Sequence, residues 1–125
     1  MDISFLCVLI AALLPYIWVG YAKFSTRNYN NNNPREFLDK LDGKSKRAHY
    51  AHLNAFEAFP AFAAAVIIAH LASVPLSQIT ICSILFIVFR IFHGIFYIAD
   101  QAVLRSIVWM GGMTCVIWLF ALSLS

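Results

Sequence analysis

Charge is scarce in this sequence. Asp, Glu, Lys and Arg make up 12% of the chain and apolar residues 62%, where a soluble domain carries roughly a quarter charged and half apolar. With 125 residues there is material for one domain, and a domain of that size cannot hide so much apolar surface from water in its own core. Cysteine is sparse as well. Cys7, Cys82 and Cys115 are odd in number, scattered through apolar stretches and without a CxxC pair. They read as small buried hydrophobes, not as a disulfide framework or a zinc site, and no metal is expected. Basic residues are few, and they are interleaved with Glu36, Asp39 and Asp42 without base-stacking aromatics. Nucleic acid is therefore not an expected partner.

What is abundant is long apolar sequence. Four blocks, at about residues 3–24, 48–72, 76–99 and 104–124, are predominantly hydrophobic. At ~1.5 Å rise per residue each reaches about 30 Å as a helix, enough to cross a lipid bilayer. The expected fold is all-α, an integral membrane four-helix bundle in a single domain, residues 1–125. The first block is kept as a span, because Asp2 stands where a signal peptide would need positive charge. Lys23, Arg27, Arg35, Lys40, Lys44, Lys46 and Arg47 all fall between the first two spans, whereas the SVPLSQ turn has no charge. The positive-inside rule then puts the basic loop in the cytoplasm and both termini on the far side.

Within that loop, Asn33-Pro34-Arg35-Glu36 reads as a helix start, with Asn at the N-cap and Pro at the first helical position. Gly43 is the expected stop of a short helix over about 34–42. Phe37, Leu38 and Leu41 share one side of it, so it either rests at the membrane interface or serves as a solvated connector.

HYAHLNAFEAFPAF, residues His49 to Phe62, carries an amide and a carboxylate into an apolar run. Asn54 and Glu57 are spaced i, i+3 on one face of the second span. A lone carboxylate inside lipid costs ~2.5–3.5 kcal/mol at the helix centre on insertion scales, so Glu57 must face protein or a polar cavity. The third span supplies Arg90, His93 and Tyr97 at i, i+3 and i+7, a single stripe. Arg105 and Ser106 open the fourth span, with Trp109 a turn later. These groups share one half of the membrane, while the other half is bland by comparison, with His70, Ser73, Gln78, Thr80, Ser83 and Thr114. Taken singly each has a plain explanation: an ion pair of Glu57 with Arg90, a packed His93, an interfacial Tyr97, a snorkelling Arg105. Taken as a set, an intramembrane ionisable cluster marks a functional site. Cations beside one carboxylate, open to the cytoplasm, suit a small anionic solute, with an amphipathic second substrate arriving from the lipid.

RAHYAHLNAFEAFPAF resembles the signature of the MAPEG family, the membrane-associated proteins in eicosanoid and glutathione metabolism. The likeness rests on Arg47, then Ala51, His52, Asn54, Glu57, Phe59 and Pro60, and RIFHGIFY is similar to the R-x-x-H-x-x-x-Y stripe of the microsomal glutathione transferase and prostaglandin E synthase branch. It covers the whole chain and is nearest the bacterial-type members, for which a bacterial inner membrane is the expected location. The resemblance implies a homotrimer with glutathione as co-substrate, bound in a U shape between subunits near the cytoplasmic face. It implies that Asn54 and Glu57 contact the peptide, Glu57 at its amino end, that His52, Arg90, His93, Tyr97 and Ser106 line the same pocket, and that Arg105 stabilises the thiolate. The reaction would be attack of that thiolate on a lipophilic electrophile or reduction of a lipid hydroperoxide.

The chemistry is sound from first principles. A thiol near pKa ~8.5 is mostly protonated at neutral pH, and a guanidinium within about 4–6 Å can lower that value by ~1–3 units. The thiolate is the nucleophile, and Arg serves as electrostatic stabiliser, not as a base. Departures from the pattern are specific. Arg105 follows Tyr97 by eight positions, one fewer than in the prostaglandin synthase branch, which puts its register in question. Leu53 stands where that branch has an arginine, and Tyr50 near another basic position, which points to weaker glutathione binding. Lys23 or Arg27 takes the place of a first-helix arginine. The rival readings are a non-catalytic lipid-binding member of the same family and a small channel or transporter subunit; the latter needs polar residues through the other leaflet too.

Overall fold

The computed structural model describes residues 2–26 and 29–125, and Arg27 lies outside them. Five helices follow one another: α1 (Ile3–Phe24), α2 (Pro34–Asp39), α3 (Gly43–Leu71), α4 (Leu76–Ile98) and α5 (Ala102–Leu124). All but α2 are long and apolar enough to cross a membrane. The fold is thus an all-helical membrane bundle.

Local chemistry fixes where the helices begin and end. Asp2 caps α1 by accepting from the Ser4 backbone N–H at 2.9 Å. Pro34 sits at the first turn of α2, where its missing N–H is no loss. α2 closes at Asp39, and the left-handed Gly43 (φ 58°) opens α3, so this glycine starts the long helix instead of ending the short one. The two other connections are Schellman turns built without glycine. After α3, Ser73 (φ 59°) takes the left-handed position, with Val74 N–H bonded to Ala69 O and Ser73 N–H to His70 O. After α4, Asp100 (φ 60°) does the same, with Gln101 N–H on Phe96 O and Asp100 N–H on Tyr97 O.

These turns force neighbouring helices antiparallel. α1 packs chiefly on α3, and α4 on α5. The interior is held by stacked Phe62 and Phe86, centroids 3.9 Å apart, with Trp18, Ile79, Val66 and Leu119 around them. Cys7, Cys82 and Cys115 are buried free thiols. Outward faces are apolar: Leu9, Ile17, Ile67, Ile81, Ile107 and Ile117 are all exposed, the arrangement expected where lipid is the solvent.

At the loop end of the bundle, α2 folds back on the helices. Leu38 is buried against Ala22 of α1 and Ala48 of α3. Lys46 Nζ donates to the Asp39 carbonyl, the Ser25 and Ser45 hydroxyls meet at 2.7 Å, and Arg47 Nε donates to Ile98 O at 3.0 Å. At the opposite end, Ser4 Oγ lies 2.5 Å from Asp2 Oδ1 and 2.8 Å from His70 Nε2, joining the start of α1 to the end of α3.

Candidate active site

The polar groups of three helices meet near the loop end. A cavity of about 420 Å³ is lined by Asn54 from α3, His93 and Tyr97 from α4, and Arg105, Ser106, Trp109 and Met110 from α5. Helical spacing explains the convergence. His93 and Tyr97 lie one turn apart on α4, and their rings meet edge to face at 5.6 Å. The Schellman turn at Asp100 then folds α5 back at once, so Arg105 arrives over the Tyr97 ring, its Cζ 4.4 Å from the centroid.

Arg90 belongs to the site indirectly. It is 5% exposed and does not line the cavity; its Nη2 donates to Asn54 Oδ1 at 2.7 Å. An ion pair between Glu57 and Arg90 is not formed. The reason is rotation about α3: Asn54 turns toward α4, while Glu57, one turn on, emerges on the exposed face of the bundle. Among the described residues no cation pairs with Glu57.

His52 is placed elsewhere. Together with His49, Lys23, Arg35, Asp39, Tyr16 and Phe56 it lines a separate recess of about 600 Å³ between α1, α2 and α3. His49 is 6% exposed and approaches Asp39 Oδ1 with its Nε2 at 3.6 Å, while the Nδ1 atoms of both histidines are buried without a hydrogen-bond partner. Sequence reasoning assigned no role to this recess; the clustering of Lys23, His49 and His52 at one membrane edge was its only signal. His93 Nδ1 is likewise buried and unpartnered at the edge of the main cavity.

The composition of the main cavity decides its chemistry. Among the described residues it holds one permanent cation, an amide, an imidazole and two hydroxyls, and no carboxylate lines it. Asn54 has its oxygen engaged by Arg90, so its NH2 group is what remains to offer a ligand. Arg105 sits in the first turn of α5, where the helix dipole is also positive. Both fields favour an anion. Trp109 and Met110, exposed at 40% and 61%, give the cavity an apolar wall toward the lipid-facing surface.

A family model described as MAPEG family matches residues 3–125. Among curated proteins none matches, and among solved structures none matches.

Proposed function

The chain belongs to the MAPEG family, and from that premise we propose that it is a membrane-embedded glutathione transferase-like enzyme, acting on lipophilic electrophiles or lipid hydroperoxides. The observation that carries this reading is the cavity that gathers Asn54, His93, Tyr97, Arg105 and Ser106 with a cation and no acid. Its volume of about 420 Å³ falls within the ~300–1,000 Å³ of small-ligand sites. Glutathione, an anion at neutral pH, fits that donor set.

Bound glutathione supplies the thiol. Arg105 holds the sulfur as thiolate by charge–charge attraction, with the thiol proton passing to water, and remains a guanidinium throughout. The Asn54 amide and Ser106 hydroxyl offer hydrogen bonds that orient the peptide. The electrophile approaches past Trp109 and Met110. In conjugation, the sulfur forms a bond to carbon as the leaving group departs with the electron pair. In peroxide reduction, the sulfur takes the terminal oxygen as the O–O bond breaks, the alkoxide leaves with the electron pair and takes a proton from water to give the alcohol, and a second glutathione thiol then displaces water from the sulfenic acid to give the disulfide.

The working unit in this reading is a homotrimer, with glutathione between subunits near the cytoplasmic face. What supports it is Glu57, a carboxylate at membrane depth on the exposed face of the protomer. A charge left there in lipid costs about 2.5–3.5 kcal/mol, and a neighbouring subunit relieves that cost by covering it.

The test is direct. The protein is purified in detergent, and glutathione conjugation and hydroperoxide reduction are measured for wild type and Arg105→Ala, with oligomer size followed in parallel. Activity should fall at least about tenfold while the trimer persists. Equal rates would remove Arg105 from the mechanism.

A further inference from the structure

Arg105 has an awkward address. It lies in the first turn of α5, where the macrodipole repels a cation, and among the described residues no carboxylate pairs with it. A long, charged side chain in that position would ordinarily swing out toward water or phosphate. Here its guanidinium carbon instead lies 4.4 Å from the centroid of the Tyr97 ring. The ring is itself fixed. Tyr97 is half-buried in the last turn of α4, its backbone carbonyl is tied into the Asp100 turn, and its ring is braced edge-on by His93, which is 3% exposed.

We infer that Tyr97 is a positioning residue: its ring face holds the Arg105 guanidinium over the cavity without neutralising it. The distinction from an ion pair is physical. A carboxylate would anchor Arg105 more firmly, but it would occupy its N–H donors and cancel the positive potential that a thiolate needs. An aromatic face attracts the cation through its quadrupole and carries no net charge. A guanidinium lying face-on against an aromatic ring keeps its in-plane N–H groups free for a ligand, which one paired with a carboxylate does not. The Schellman turn at Asp100 sets the reach, since one residue more or less between Tyr97 and Arg105 would rotate the arginine about 100° around α5.

This inference rests on the thiolate-stabilising role proposed for Arg105, but its contact is testable apart from that role. Two variants separate the ring from its hydroxyl: Tyr97→Phe keeps the face, and Tyr97→Leu removes it. The first readout is the Arg105 side-chain NMR signal in detergent, assigned by its loss in Arg105→Lys. A ring-current shift should be present in wild type and Tyr97→Phe and absent in Tyr97→Leu, with or without glutathione. Its absence from wild type overturns the inference whatever the variants do. The second readout is the pH titration of thiolate absorbance at saturating glutathione. Tyr97→Leu should need about tenfold lower proton concentration to reach half-ionisation, the scale of a desolvated cation–π contact. Tyr97→Phe should restore the wild-type midpoint even where it changes affinity. A midpoint in Tyr97→Leu equal to wild type, or one in Tyr97→Phe displaced as far as in Tyr97→Leu, overturns the positioning role. If wild type ionises no glutathione while the ring-current pattern holds, the transferase reading fails and the Tyr97–Arg105 contact stands.

Discussion

Arg90 and Asn54 are joined by a single 2.7 Å bond from the guanidinium Nη2 to the amide Oδ1 across the α3–α4 interface. The bond fixes the amide's orientation, because an oxygen turned toward Arg90 leaves the NH2 group turned away. It also gives a buried cation its acceptor where no carboxylate lines the cavity beside it. Arg90 thereby shapes the cavity from behind its wall.

The first prediction follows from that pair. Asn54→Ala strips a buried guanidinium of its acceptor and should lower stability by about 1–3 kcal/mol, read as a drop in thermal unfolding temperature in detergent. Asn54→Asp should behave differently. It offers Arg90 a charge-assisted bond and so keeps stability near wild type, but it puts negative charge on the cavity wall and removes the amide donor. Glutathione affinity should fall about tenfold or more, measured by titration. An Asn54→Asp protein that binds glutathione as wild type does would show that this amide does not face the ligand.

Gly94 permits the close approach that seats α4. A methyl group placed there would run into the indole ring of Trp18, which is 9% exposed and packed in the core. Gly94→Ala should therefore cost about 1–3 kcal/mol through overpacking. Because Gly94 adjoins His93, the displaced helix should disturb the cavity too. A Gly94→Ala, Trp18→Phe double variant should recover part of the loss if the clash is its cause; thermal unfolding of the three proteins decides this.

Glu57 tests the assembly. In lipid an exposed carboxylate is tolerated only when something polar covers it. Glu57→Gln keeps the shape and removes the charge, so the KM for glutathione should rise about tenfold with a smaller change in kcat, as for a group that binds substrate and transition state alike. Glu57→Leu should leave the folded protomer intact, since no bond within it is lost. A KM unchanged by either substitution would free Glu57 from any part in binding.

The architecture was legible in the sequence because its cause is local. Apolar blocks of spanning length, a proline at the start of α2 and the uncharged turn before α4 each act over a few residues. The polar slab was legible for the same reason, since i, i+3 and i+7 spacing places His93 and Tyr97 on one stripe. Rotation about the helix axis between neighbours was not. Asn54 and Glu57 share a sequence face, yet packing of α3 turns one inward against Arg90 and the other outward. The same rotation sends His52 to the α1–α2–α3 recess. Nor was the Ser4–His70 contact visible, because residues at opposite ends of two spans come together only once the antiparallel pairing is known.

That contact makes the last prediction. Asp2, Ser4 and His70 clasp α1 to α3 at the end away from the cavity, with His70 Nε2 3.3 Å from Asp2 Oδ2 and 2.8 Å from Ser4 Oγ. The Ser4 hydroxyl, helped by the Ser4 backbone N–H and by His70, holds the Asp2 carboxyl below its ordinary value of 3.8. A carboxyl with a lower value folded than unfolded contributes stability in full above the unfolded value and loses it as pH falls through the folded one. The gap in unfolding temperature between wild type and Asp2→Asn should thus close progressively as pH falls below the ordinary carboxylate range. His70→Ala should lower stability by about 0.5–1.5 kcal/mol without changing glutathione binding at the far end. A gap that widened in acid would mean that the carboxylate is strained in the clasp instead of stabilised by it.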